Sequence, residues 1–365
     1  MSSDINIPHV DVSGETQRQV VVDRDPQRYL GHVTTVLLED GRTMYATYPT
    51  GHGVGQILLK RSDDGGLTWS ERLPVPENWS TSLEVPTIFR TIDKAGVRRL
   101  LLFSGMHPIR MAVSEDDGRN WSALEAIGDY GGVVAMSCMG RLRNGDYLAF
   151  FHDDERLRVP DGAAARRLIV RCVRSADGGL TWGEPVFVTA HEEAELCEPC
   201  WLRSPDGRHI AILLRENSRR FNSFVIFSDD EGESWSPPRE LPAALTGDRH
   251  IGRHTPDGRL FVTFRDEARE SPFLADWVAW VGTFDDIVAG REGQYRIRLM
   301  HNREHGRSMH NGIVFGDCGY PGLELLPDGT LVTTTYGHWS ENDPPYIVSV
   351  RLTLAEMDGK LPVTR

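Results

Sequence analysis

No stretch of the 365 residues approaches the ~18 consecutive apolar residues that a membrane-spanning helix requires, so a helical membrane protein is excluded. Cysteine is scarce: residues 138, 172, 197, 200 and 318 are too few and too irregularly spaced for a disulfide framework. Positive charge is in deficit, with 40 Lys and Arg against 53 Asp and Glu for a formal −13. Such a surface repels nucleic acid and anionic membranes unless cations are concentrated locally, as in a substrate pocket. The opening MSSDINIPHVDVSGETQ has neither a basic start nor an apolar core, which makes a cytoplasmic location the expectation. Long segments with apolar residues at i, i+3, i+4 and i+7 are also missing, which counts against an α/β fold. One cysteine pair is suggestive, CEPC at 197–200, but its flanks LCEPCWLRSPDGRHIAILL read as strand, turn and strand. A redox CxxC needs a helix N-terminus, and residues three apart on a strand face opposite sides. No cofactor is expected.

What the chain does have is repetition. The phrases SDDGGLTW (62–69), SEDDGRNW (114–121), SADGGLTW (175–182) and SDDEGESW (228–235) recur with their Trp residues at 69, 121, 182 and 235. Between them lie turn phrases EDGR (39–42), RNGD (143–146), PDGR (205–208 and 256–259) and PDGT (327–330), with a looser DKAG at 93–96. Each separates two apolar stretches of strand length, and Asp-Gly or Asn-Gly supplies the positive φ of a tight hairpin. The unit is therefore strand, turn, strand, loop, strand and SxDxGxxW. A period of 52 to 61 residues is that of a propeller blade with loops added. Six turns predict an all-β, six-bladed β-propeller of four-stranded blades forming a single domain over residues 18–365. The isolated β-branched stretch RQVVVD (18–23) is expected to close the ring as the outer strand of the last blade, with residues 1–17 as a leader.

Propeller chemistry gathers at the central axis, where innermost strands begin and second strands end. Nine residues before each turn Gly stand His32, Met136, Glu198, Arg249 and Tyr320. Seven or eight residues after it stand Tyr48, His152, Arg215, Arg265 and Tyr336. Blade 2 contributes Glu84 and His107, and the strand ends ATYPTGHG, FFHDDER and TTYGHW bring in His52, Asp153 and His338. Nine of the ten equivalent positions are Tyr, His, Arg or Glu, a concentration that points to a ligand site rather than to solvated strand ends. Guanidinium forks at the exits of blades 4 and 5 suit a carboxylate or a set of sugar hydroxyls. The loop MHNREHGRSMHN (300–311) carries three His but no HExxH-like regularity, so no metal is expected.

The phrase SxDxGxxW resembles the Asp-box of the sialidase superfamily, a structural turn between the third and fourth strands of a blade. The resemblance covers roughly residues 25–355. CEPCWLRSPDGRHIAILLREN is similar to the sialidase segment in which a Glu precedes one Arg of the carboxylate-binding triad, and Glu198 and Arg215 fit those places. GYPGLELLPDGTLVTTTYGHW is similar to the late segment that opens with the nucleophilic Tyr, where Tyr320 falls. The resemblance thus implies Tyr320 as nucleophile and Glu198 as its base. It also implies departures. YLGHV (29–33) places Gly31 or His32 where sialidases carry their first Arg, and TYPTGHGVGQ offers His52 in place of the acid/base Asp. Arg249, Arg265 and Arg307 compete for the third triad position. One lost charge-assisted contact costs about 2–5 kcal/mol.

The expected activity is an exo-acting glycoside hydrolase acting on a carbohydrate, a terminal acidic or deoxy sugar, with His32 or His52 as proton donor. Arg215, Arg265, Arg249, His152, Asp153, Tyr48, Glu84, His107, Tyr336 and His338 would hold the substrate. A polysaccharide lyase on a uronate and a non-catalytic glycan-binding propeller are the alternatives. Oligomeric state is left open.

Overall fold

The computed structural model describes residues 5–154, 168–303, 308–310 and 313–362, with backbone alone at 308–310 and 313–315. Within these residues the strands form six blades, which run outward in chain order except for the outermost strands of blades 5 and 6, and a separate two-stranded pair, Ser308–His310 with Ile313–Phe315. Blade 4 is representative: Leu196–Arg203, Ile210–Glu216, Phe224–Ser228 and Arg239–Glu240 pair antiparallel in sequence. Blades 2 and 3 have the same four strands. Blade 1 has three, Thr34–Leu37, Met44–Pro49 and Ile57–Ser62, and its fourth position is taken by an extended run whose Ser70 and Leu73 amides donate to Arg61 and Leu59 carbonyls.

Second strands such as Arg98–Ser104 (RRLLLFS) and Leu260–Asp266 (LFVTFRD) are apolar on both faces because both faces are covered by neighbouring blades. The core accordingly lies in the seams between blades. One cluster joins Phe150 of blade 3 to Ile212 of blade 4, another joins Val225 of blade 4 to Val262 of blade 5, and a third joins Phe261 of blade 5 to Leu323 of blade 6.

The four SxDxGxxW phrases fold identically between the third and fourth strands of blades 1 to 4. In the 175–182 phrase the Ser175 hydroxyl donates to Asp177 Oδ1 at 2.8 Å and accepts from the Gly179 amide at 2.8 Å, while Asp177 Oδ1 accepts from the Thr181 amide at 3.0 Å. Gly179 has φ 95°, and a Cβ there would sit 2.3 Å from Leu101 Cδ1 of the preceding blade, so only glycine fits. Blades 5 and 6 replace the phrase with a short helix, Phe284–Ala289 and Leu354–Asp358, each started by a Thr capping box.

Gln19–Asp23 pairs antiparallel with Tyr346–Leu352 as the outer strand of blade 6. Residues 5–17, expected as a leader, instead belong to the propeller. His9–Asp11 adds a parallel fifth strand to blade 5 beside Tyr295–Met300, burying Val10 and Val12. The alternation of INI and HVDV carried that signal, but each run is shorter than an ordinary strand. All five cysteines are free and buried, and burial raises the Cys197 and Cys200 thiols.

Candidate active site

The innermost strands of blades 4, 5 and 6 each begin with a bulge, two residues facing one: between Cys197 and Cys200, Asp248 and Ile251, and Gly319 and Gly322. The first bulged residue of each is in the left-handed region: Glu198 at φ 47°, Arg249 at 55° and Tyr320 at 58°. His32, just before the first strand of blade 1, has φ 53°. Such a backbone costs a non-glycine residue about 1–3 kcal/mol and persists where the surroundings enforce it. Four repetitions at one topological position turn these side chains toward a common centre. In blade 3 the left-handed residue is Val134, not Met136, because the register slip there runs from Val133 to Cys138 and is longer. Met136 is buried in the seam with blade 2.

Tyr320 lies in the middle of two networks. On one side its hydroxyl donates to Glu198 Oε1, which also accepts from Arg215 Nη1 at 2.7 Å. Burial, and then the Glu198 charge, push the phenol well above its usual 10. Glu198 is 3% exposed and its Oε2 has no hydrogen-bond partner among the described residues. The Arg249 guanidinium sits 5.8 Å from the Tyr320 ring centroid, buried, with Nε and Nη1 unpartnered among the described residues. Behind them Asp248, 1% exposed, receives three arginines: Arg215 Nε at 3.0 Å, Arg219 Nη2 at 2.6 Å and Arg265 Nε at 3.1 Å. Burial works to raise the Asp248 carboxyl, but the three guanidiniums outweigh it and hold it well below the carboxylate range. Glu267, 3.0 Å from Arg265 Nε, is pushed up to about 7 by its burial.

On the other side His32 packs against Tyr320 with ring centroids 4.3 Å apart and stacks on Tyr336 at 4.8 Å. Its Nδ1 accepts the Gly53 amide at 3.1 Å, which puts the ring proton on Nε2. Burial first, then the neighbouring cations, hold His32 well below 6.5, so it is neutral at neutral pH. His52 is different. Its side chain is 67% exposed, its ring lies 4.7 Å from His32, and its Nδ1 is 2.7 Å from the Tyr29 hydroxyl and 3.4 Å from Asp317 Oδ1. Asp317 accepts from Tyr29 at 2.9 Å and Tyr336 at 3.2 Å, with His338 Nε2 at 3.4 Å. Desolvation opposes its ionisation, but the bonds from His338, His52 and Tyr29 prevail and hold its carboxyl far below the usual range.

Of the residues expected from the sequence, Tyr320, Glu198, Arg215, Arg249, Arg265, His32, His52, Tyr336 and His338 converge. Others do not. Tyr48 is fully buried with its hydroxyl donated to Asp23 of the closing strand at 2.6 Å, so it ties the ring shut instead of meeting a ligand. Asp153 is engaged by Arg171 Nε at 3.2 Å on the adjacent strand. Its neighbour His152 is buried opposite Val133. His107 faces the fully exposed Asp129 at 3.2 Å on the rim. Glu84 accepts its neighbour Val85's amide at 2.9 Å and flanks Gly53. Arg215 and Arg265, expected to point at substrate, turn their forks inward: Arg215 Nη2 reaches Asn217, and Arg265 Nη1 reaches the Gly316 and Cys318 carbonyls. Arg307 and residues 155–156 of HDDER lie outside the described residues. The sequence reasoning missed Asp248, Arg219, Glu267, Tyr29 and Asp317. Asp248, Asp317, Glu267 and Tyr29 could have been suspected, as each lies within three residues of an expected site residue, whereas Arg219 lies four from Arg215.

No family model matches the chain, and no curated protein matches it by sequence. Solved structures match it in shape. A protein of unknown function from Dyadobacter fermentans superposes with a TM-score of 0.67 at 15% identity, over 92% of this chain and 97% of that one. Hadza microbial sialidase Hz136 gives 0.63 at 16% identity, over 93% of this chain and 69% of that one. The intramolecular trans-sialidase from Ruminococcus gnavus, solved with oseltamivir carboxylate, gives 0.58 at 14% identity, over 92% and 97%. The chain therefore has the six-bladed propeller fold seen in the sialidases.

Proposed function

We propose that this sialidase-fold propeller is an exo-acting glycoside hydrolase that removes a terminal acidic or deoxy sugar from a glycan or glycoconjugate. One contact carries the reading: the Tyr320 hydroxyl donates to a buried Glu198 carboxylate whose charge Arg215 steadies. A nucleophile with its base in hydrogen-bond contact is the requirement for covalent catalysis, and tyrosine is a known exception to the carboxylate nucleophiles of most glycosidases.

In this mechanism Tyr320 Oη attacks the anomeric carbon as its proton passes to Glu198 Oε1. The glycosidic carbon–oxygen bond breaks, and the leaving oxygen takes a proton from the His52 imidazolium. Water then attacks the anomeric carbon from the side the leaving group vacated, losing a proton to His52, while the Tyr320–carbon bond breaks and Glu198 returns the phenol proton. Two displacements retain the anomeric configuration. His52 suits the donor role because it is accessible and oriented through Nδ1 by Tyr29 and Asp317. His32 has no proton to spare at neutral pH and serves to position Tyr320. The Arg249 charge over the Tyr320 ring offsets the negative charge that grows on the phenol oxygen.

The test is hydrolysis of a panel of aryl glycosides by wild type beside Tyr320→Phe and Glu198→Gln. Turnover cut at least ~100-fold by both variants supports the mechanism. Products that absorb in the ultraviolet without net hydrolysis would replace it with a lyase. Sugar binding that never leads to turnover would replace it with a binding module.

A further inference from the structure

We infer that the sugar bound at this site carries no carboxylate, because Asp248 already occupies the arginine cluster that would receive one; the inference rests on the glycosidase reading above and narrows its substrate class to neutral, deoxy-type sugars.

A substrate carboxylate is recognised by guanidinium forks whose N–H groups are unspent. Here most of them are engaged by protein groups, although Arg215 Nε, 3.0 Å from Asp248, makes no hydrogen bond among the described residues. Arg265 directs Nε and Nη2 to Asp248 Oδ2, and Nη1 to the carbonyls of Gly316 at 2.6 Å and Cys318 at 2.9 Å. Arg215 places Nε beside Asp248, Nη1 on Glu198 and Nη2 on Asn217 at 2.9 Å. Arg219 closes on both Asp248 oxygens. The carboxylate at the centre of this cage is 1% exposed, and its backbone pairs directly with Arg265 across the blade 5 hairpin. A substrate carboxylate approaching the same edges would face Asp248 as a like charge in a poorly solvated space, which is a device for rejecting it. Arg249 keeps unpaired donors, but they are buried and its charge lies over Tyr320.

The experiment reads binding separately from turnover. Thermal melting and calorimetric titration of the full chain would use N-acetylneuraminic acid, glucuronic acid and L-fucose as probes, on wild type and on Asp248→Asn, which keeps the shape and removes the charge. Wild type should favour the neutral sugar, and Asp248→Asn should bind the two acidic sugars at least ~10-fold tighter than wild type does. In Asp248→Ala the emptied cage should accept sodium formate, seen as a rise in melting temperature over equal sodium chloride that wild type lacks. The inference is overturned if wild type binds either acidic sugar as tightly as Asp248→Asn, or hydrolyses an aryl sialoside or uronide faster than any neutral glycoside. Absence of all hydrolysis would remove the glycosidase reading alone, since the binding comparison still decides the role of Asp248.

Discussion

Replacing Glu198 with Gln moves two readouts in opposite directions. The substitution preserves shape and leaves Arg215 its contacts with Asp248 and Asn217, but it removes the charge that accepts the Tyr320 proton. General-base assistance is worth about 10²–10⁴ in rate, so kcat/KM on whichever aryl glycoside turns over should fall by an equivalent ~3–5 kcal/mol of barrier. The same change removes one of the two main causes that hold the Tyr320 phenol above 10, burial being the other. The phenol should therefore become the stronger acid, its tyrosinate absorbance appearing at lower pH than in wild type even as catalysis fails. Because nucleophile and base act as one unit, adding Tyr320→Phe should cost little beyond the worse single variant. The reasoning is refuted if Glu198→Gln keeps kcat/KM within ~3-fold of wild type, a barrier change of under ~1 kcal/mol, or if the two substitutions multiply.

Further outcomes follow from the same contacts. Tyr48→Phe removes a hydrogen bond to the buried Asp23 carboxylate and should destabilise the fold by about 1.5–3 kcal/mol in urea titration with kcat/KM unchanged; a large kinetic loss would return Tyr48 to the site. His250, fully buried and held near 4 instead of 6.5 by desolvation, refuses a proton that the unfolded chain accepts. Its share of stability is present above pH 6.5 and lost as pH falls toward 4, so wild type should lose about 3 kcal/mol more than His250→Gln over that range. Equal pH slopes for the two proteins would contradict this. Deleting residues 1–14 strips the parallel strand from blade 5 and uncovers the seats of Val10 and Val12, about 3 kcal/mol of burial at 1.5 kcal/mol or more per side chain. An unchanged melting temperature would show that strand to be dispensable.

The fold was legible because its determinants are local and repeated. Ser175, Asp177, Gly179 and Trp182 solve one turn within eight residues, and the chain writes the same solution in blades 1 to 4. Part of the site was legible for a related reason: counting back from a turn Gly fixes how far along a strand a residue sits, which found Glu198, Arg249, Tyr320 and His32. Spacing fails where the backbone departs from regular pairing, as at the longer slip that displaces Met136 in favour of Val134. Spacing also says nothing of which face a strand-end side chain takes, and so could not separate Tyr48, tied to Asp23, from Tyr336, tied to Asp317.

What the sequence by itself determined is therefore the propeller, the blade count and the ring of polar strand ends, since each depends on contacts within a hairpin. The tertiary structure decided the chemistry. Whether an arginine faces substrate or its own aspartate depends on Asp248 of blade 5 meeting Arg215 and Arg219 of blade 4, and the neutrality of His32 depends on its burial against Tyr320 of the neighbouring blade 6. Charges and desolvation act through space between site residues up to 304 positions apart, and no local pattern encodes them.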